Sequence, residues 1–262
     1  MIPMRIAVSQ ISSTTDPRSN LELVRDAVRR AEGARVVVLP EATMCRFGVP
    51  LGPVAEPLDG PWASAVHEIA VQHDVVVVAG MFTPAGDRVR NTLLVTGPDL
   101  HVGYDKIHLF DAFGFQESRT VEHGAAPVVF ELDGVTLGVA TCYDIRFPEL
   151  FRALADKGAS AVLVGASWGA GAGKKEQWEL LVRARALDCT SFVVACGQAH
   201  PGDLGVVAPT GIGYSTVADP FGNVVVQLSD QPSDTIVDLD FDVVTRAREV
   251  LPVLANRRLT SS

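Results

Sequence analysis

The sequence lacks an excess of positive charge, a long apolar run and a paired-cysteine framework. Its 262 residues carry 22 Lys and Arg against 31 Asp and Glu, a formal net charge of −9. A nucleic-acid binder shows a basic face, so this balance argues against one. It leaves room for a basic pocket inside an acidic protein. No run of ~18 apolar residues occurs, so no membrane-spanning helix is expected. The four cysteines, Cys45, Cys142, Cys189 and Cys196, show neither a CxxC pair nor the Cys/His spacing of a metal site. The opening MIPMRIAVSQ has no apolar signal core and no small-residue cleavage site. The expectation is a cytoplasmic protein with reduced thiols, no metal and no cofactor.

What is present is ordinary for a globular chain: 47% hydrophobic and 20% charged residues. A chain this long buries about 70–75% of its unfolded surface and needs no disulfide to hold a core. Short apolar strands alternate with amphipathic helices. Strands are expected over 5–8, 36–39, 75–78, 91–95, 101–104, 128–132, 135–140, 161–165, 191–195, 213–217, 223–228 and 235–239. Helices are expected over about 21–31, 62–73, 148–158 and 176–187, with a short one after the last strand. Asp133-Gly134 is a two-residue hairpin signal, and Gly97-Pro98-Asp99 marks another turn. The segment 107–126 has weak periodicity and reads as a long loop. Hairpins among the strand–helix units imply mixed rather than purely parallel sheets. No repeat or linker interrupts the chain, so one α/β domain over 1–262 is expected.

Three chemically active residues sit just after apolar strands: Glu41 after VVVLP, Lys106 after the strand ending at Tyr104, and Cys142 after VTLGVAT. Strand carboxyl ends are where ligand sites gather in α/β proteins. A thiol at a strand-to-helix turn lies close to backbone N–H groups. Amide hydrolysis needs these residue types. A carboxylate takes the thiol proton, and a lysine together with a backbone N–H such as that of Tyr143 holds the oxyanion. Taken singly, each has a plainer reading: a core thiol, a helix cap, a solvated lysine.

The blocks LPEATM at 39–44, YDKIHLFDAF at 104–113 and TCYDIRFPEL at 141–150 resemble, in order, the three signature blocks of the nitrilase superfamily of carbon–nitrogen hydrolases. RARALDCTSFVVACGQ at 183–198 and DPFGNVV at 219–225 extend the likeness over nearly the whole chain. The resemblance implies a four-layer α-β-β-α sandwich and a Glu41–Lys106–Cys142 triad, with Glu117 as a second glutamate that orients Lys106 or assists proton transfer. It implies a small-molecule amide substrate and a homodimer or larger homo-oligomer, to which the tail at about 241–262 contributes. HLFDAFGFQES and the ending LPVLANRR are similar to the bacterial deaminated glutathione amidases, which implies an α-keto-acid amide substrate. The ω-amidases, which act on α-ketoglutaramate, share the three blocks and are the alternative, as are N-carbamoyl, aliphatic amide and nitrile hydrolases.

The glycine-rich GASWGAGAGKK at 165–175 departs from the pattern, and Trp168 is expected to wall the pocket. Asp144, Arg146 and Glu149 are expected to form an ion-pair network after Cys142. Arg146 is also a candidate for a substrate carboxylate, as are Arg46, Lys174 and Lys175. Cys45 is placed near the site, while Cys189 and Cys196 read as core thiols. Gly165 to Gly169 fits the G-x-S-x-G serine elbow with Ser167 as nucleophile, but no helix follows at once. Gly173-Lys174 fails the phosphate-loop pattern at Trp168 and Lys175. A non-catalytic scaffold and an acyltransferase are further readings.

Overall fold

The computed structural model describes residues 3–202, 204–205 and 208–259. The first half runs β1 (Met4–Gln10), α1 (Pro17–Arg30), β2 (Val36–Val38), α2 (Pro61–Gln72), β3 (Val76–Ala85), β4 (Arg88–Gly97) and β5 (Leu100–Asp105). The segment read as a loop carries three two-residue strands, β6 (Asp111–Ala112), β7 (Phe115–Gln116) and β8 (Val121–Glu122), around a tight turn at Glu117–Arg119. The second half runs β9 (Val129–Leu132), β10 (Val135–Thr141), α3 (Pro148–Asp156), β11 (Ala161–Ala166), α4 (Lys174–Cys189), β12 (Phe192–Gly197), β13 (Thr216–Ala218) and β14 (Val224–Gln227). It ends with β15 (Ser233–Leu239) and α5 (Asp242–Val250).

Among the described residues two large mixed sheets form, beside a two-stranded ribbon of β6 and β7. One has the order β15-β1-β2-β3-β4-β5, with β8 alongside β4; the other is β14-β13-β12-β11-β10-β9. In each, three parallel strands form the centre and antiparallel strands flank them. The Asp133-Gly134 hairpin forms, with both residues in the left-handed region. β15 returns to the first sheet and pairs β1 from Met4–Leu239 to Gln10–Ser233.

Side-chain alternation along each strand sets the layers. In β2, Val36 and Val38 face the second sheet, whereas Val37 faces α1 and α2. In β3, Val76 and Val78 point inward and Val77 and Ala79 point to the helices. Strands covered on both faces need such continuous apolar runs. α1 buries Asn20, Val24, Ala27 and Val28 at helical spacing. Asp16 caps it through the amides of Arg18 and Ser19, and Pro17 sits in its first turn. On the other side α3 and α4 cover the second sheet, with Trp178 of α4 fully buried. The architecture is a four-layer α-β-β-α sandwich. Its parallel strands β2, β10 and β11 deliver Glu41, Cys142 and Ser167 to one end of the molecule.

Candidate active site

Cys142 begins a tight turn directly after β10, with φ of 47°. A non-glycine residue in that region is strained, by roughly 1–3 kcal/mol, and persists only where its surroundings hold it. Asp144 provides the hold. Its fully buried carboxylate accepts from Thr141 N at 2.9 Å, from the Tyr104 hydroxyl at 2.7 Å, and from His108 N at 3.0 Å. His108 Nδ1 lies 2.8 Å from the same carboxylate, and the ring stacks on Phe147 at 3.7 Å. The turn after β10 is thereby tied to the chain on either side of Lys106.

Glu41 lies two residues beyond Leu39, packed between two glycines. A Cβ on Gly80 would come within 2.4 Å of Ala42 N, and one on Gly165 within 2.9 Å of Glu41 N. Both positions must stay bare for the glutamate backbone to sit between the sheets. The Glu41 carboxylate accepts from Ser167 N at 2.7 Å, from Asn91 Nδ2 at 2.7 Å and from Lys106 Nζ at 3.1 Å. The Gln198 amide donates to the Glu41 carbonyl at 3.0 Å.

Lys106 follows β5, and its Nζ also reaches Glu117 Oε2 at 2.8 Å and Oε1 at 3.2 Å. Glu117 further accepts from Phe110 N at 2.6 Å and Asn91 Nδ2 at 3.2 Å. All three charged side chains are almost wholly buried. Burial alone disfavours the Lys106 charge, but the facing carboxylates of Glu117 and then Glu41 outweigh it and hold the ammonium well above the ordinary lysine range. Burial pushes the Cys142 thiol well above its usual range, and the Glu41 charge pushes it further against the pull of Lys106. At neutral pH Cys142 therefore rests as a neutral thiol.

These groups meet at the floor of a cavity of about 520 Å³, whose lining includes Glu41, Lys106, Glu117, Cys142, Tyr143 and Trp168. The sequence matches the carbon–nitrogen hydrolase family over residues 5–249. The chain is a carbon–nitrogen hydrolase.

Relatives place this carbon–nitrogen hydrolase within the nitrilase superfamily. A protein described only as a hydrolase from Mycobacterium tuberculosis is 55% identical, over 97% of this chain and 95% of its own. The deaminated glutathione amidase of Escherichia coli O157:H7 is 32% identical over 97% of each chain. The chloroplastic ω-amidase of Arabidopsis thaliana is also 32% identical, over 97% of this chain and 72% of its own. Among solved structures, the carbon–nitrogen hydrolase XC1258 of Xanthomonas campestris, which bears an arsenic adduct in its active site, superposes with a TM-score of 0.88. It is 25% identical, with both chains fully covered.

Of the other expectations for this hydrolase, some hold and some fall differently. Asp144, Arg146 and Glu149 form no ion-pair network: Asp144 is satisfied by Tyr104, Thr141 and His108, and Arg146 donates to Gln177 Oε1 at 2.6 Å. Arg146 is not among the lining residues, and its guanidinium lies 5.0 Å from the Trp168 ring. Cys45 is buried and lies outside the lining, with its thiol donating to Thr15 O. Cys189 and Cys196 are core thiols. Lys175 lies over the Tyr214 ring and 3.7 Å from Glu179, and Arg46 donates to Phe47 O. Ser167 is no elbow nucleophile, because its hydroxyl donates to Pro209 O and its amide holds Glu41. Asn91, which bridges both glutamates, carried no sequence signal beyond its place in a strand.

Proposed function

We propose that this hydrolase is an amidase acting on small carboxamides through a Cys142 thioester, with deaminated glutathione or a related α-keto-acid amide as substrate. The buried Glu41–Lys106–Glu117 cluster at the floor of the Cys142 cavity carries the reading. Glu41 accepts the thiol proton as Sγ attacks the amide carbonyl carbon. Lys106 Nζ and the Tyr143 N–H hold the tetrahedral oxyanion. Collapse of that intermediate breaks the C–N bond, and the amine leaves with the proton from Glu41. A water then gives its proton to Glu41 and its oxygen to the thioester carbon. The acid is released and the thiol restored. Glu117 keeps Lys106 charged and aimed, because Lys106 makes its shortest bond, 2.8 Å, to Glu117 Oε2.

The identity to an enzyme of that substrate and the short 107–117 segment support deaminated glutathione. The equal identity to an ω-amidase makes α-ketoglutaramate the comparison substrate. Both yield 2-oxoglutarate, released with a cysteinylglycine amine from the first and with ammonia from the second. The test is 2-oxoglutarate release from each, with Cys142→Ala as control. Preference for deaminated glutathione, lost in the variant, is expected. Wild-type turnover in the variant would contradict the mechanism, and preference for α-ketoglutaramate would reassign the substrate. The same reading makes the protein a cytoplasmic, single-domain homo-oligomer. The exposed Leu180 and Leu187 on the outer helix α4 support a helical contact face.

A further inference from the structure

The cavity wall carries one cation that the proposed chemistry leaves unused. Of the lining cations, Lys106 is neutralised by Glu41 and Glu117, and Arg88 pairs with Glu122. Lys174, at the start of α4, also lines the cavity and meets no carboxylate within ion-pair distance among the described residues. Instead its ammonium rests 3.6 Å from the centre of the Phe113 ring, with Phe110 at 5.6 Å and Trp168 at 5.9 Å. The Trp168 indole donates to the Lys174 carbonyl at 2.9 Å, which fixes the start of the helix against the wall.

Behind Trp168 stands Arg146, a second cation without a carboxylate partner among the described residues, and its buried Nε has no hydrogen-bond partner. Two like charges thus face one aromatic wall in a protein whose net charge is −9. Burial and then the Arg146 charge disfavour the Lys174 ammonium, which only a Cys142 thiolate would favour. Juxtaposed cations without counter-ions cost free energy, and an arriving anion relieves that cost. Lys175, the next residue, shows the ordinary alternative, a surface lysine near Glu179.

We infer that Lys174 is the carboxylate-binding residue of the cavity, held in place by Phe113 and Trp168, and that it selects amides whose acyl part carries a distant carboxylate. This rests on the amidase reading of Cys142. Arg146 adds long-range positive potential from behind the wall without touching the ligand. Substrate selection thus falls to a lysine of the glycine-rich segment and not to the arginine of the cysteine block.

Two measurements separate this inference from the amidase reading. The first compares kcat/KM for glutaramate, an anionic monoamide, with that for glutaramide, its neutral counterpart, in wild type, Lys174→Met and Lys174→Arg. The anionic-to-neutral ratio is expected to fall about 10- to 100-fold in Lys174→Met, the range for losing one charged hydrogen bond. Lys174→Arg should restore most of it. The second measures protection of Cys142 from iodoacetamide by glutarate, which needs no turnover. Protection is expected in wild type and lost in Lys174→Met. Equal glutarate protection in both would overturn the assignment of Lys174. An unchanged ratio in Lys174→Met would overturn it too. Failure of wild type to cleave either amide counts against the amidase reading alone, and the protection experiment still decides Lys174.

Discussion

The Tyr104 hydroxyl donates to the Asp144 carboxylate across 2.7 Å, joining the strand before Lys106 to the turn that begins at Cys142. The bond is fully buried at both ends and spans the two sheets. Burial and the Asp144 charge hold the phenol well above its ordinary range, so it stays a donor. Tyr104→Phe removes that donor and leaves a buried carboxylate with one partner fewer. A loss of about 1.5–3 kcal/mol in urea unfolding is expected, with a lower rate of Cys142 alkylation because the turn is less firmly held. Unchanged stability and alkylation would show that Asp144 needs only its amide partners.

Glu117 contributes charge more than shape. Glu117→Ala leaves Lys106 with one carboxylate, strands the Phe110 amide and leaves Asn91 Nδ2 only its bond to Glu41. A destabilisation of about 3–5 kcal/mol is expected, the range for breaking a buried charged pair. Glu117→Gln keeps the side-chain volume and part of the hydrogen bonding, so it should unfold closer to wild type while kcat still falls. Equal kcat in Glu117→Gln and wild type would remove Glu117 from the chemistry and leave it a structural role.

Gly80 is a packing requirement of Glu41, the proposed base. A Cβ there meets Ala42 N at 2.4 Å and the Glu41 backbone at 2.7 Å, and backbone atoms cannot swing aside as a side-chain tip can. Gly80→Ala is expected to cost about 1–3 kcal/mol and to lower activity by displacing Glu41. Normal activity in this variant would mean that the loop absorbs the shift without moving the carboxylate.

Stability should fall in alkali, partly through Cys189. Burial raises this thiol from 9.0 to about 11 in the folded protein. A raised folded pKa favours the protonated form, so its contribution is complete below the unfolded thiol pKa and is lost as pH rises through 11. Two pKa units correspond to about 3 kcal/mol. Unfolding of wild type and Cys189→Ala across pH 8 to 11 measures it. The stability difference between them should shrink or invert by about that amount, and a constant difference would contradict the shift.

Much of this was legible in the sequence because it depends on local order. VVV at 36–38 has no polar face and forms a central strand, and Asp133-Gly134 forms its hairpin. Glu41, Lys106 and Cys142 each follow a strand, and strands of two facing sheets end at one edge. What was illegible depends on cross-sheet proximity. Asn91 sits at a plain strand position, yet touches both glutamates; Ser167 supplies an amide rather than a nucleophile; Gly80 matters because another backbone passes it. The 107–126 segment showed weak periodicity because side chain-to-backbone bonds, such as Glu117 to Phe110 N, hold it more than a ladder does. The sequence suggests an ion-pair network of Asp144, Arg146 and Glu149, whereas Asp144 and Arg146 point to different neighbours.

Acyl transfer to Cys142 is the step on which the proposed function rests. Its most direct test is rapid-quench mass spectrometry of the protein mixed with deaminated glutathione or α-ketoglutaramate, run on wild type, Glu41→Gln and Cys142→Ala. The account predicts an adduct of the 2-oxoglutaryl mass on the peptide containing Cys142, and none in Cys142→Ala. Its decay should be slower in Glu41→Gln, where water lacks its base. Release of 2-oxoglutarate by Cys142→Ala at the wild-type rate, with no adduct in any variant, would contradict it.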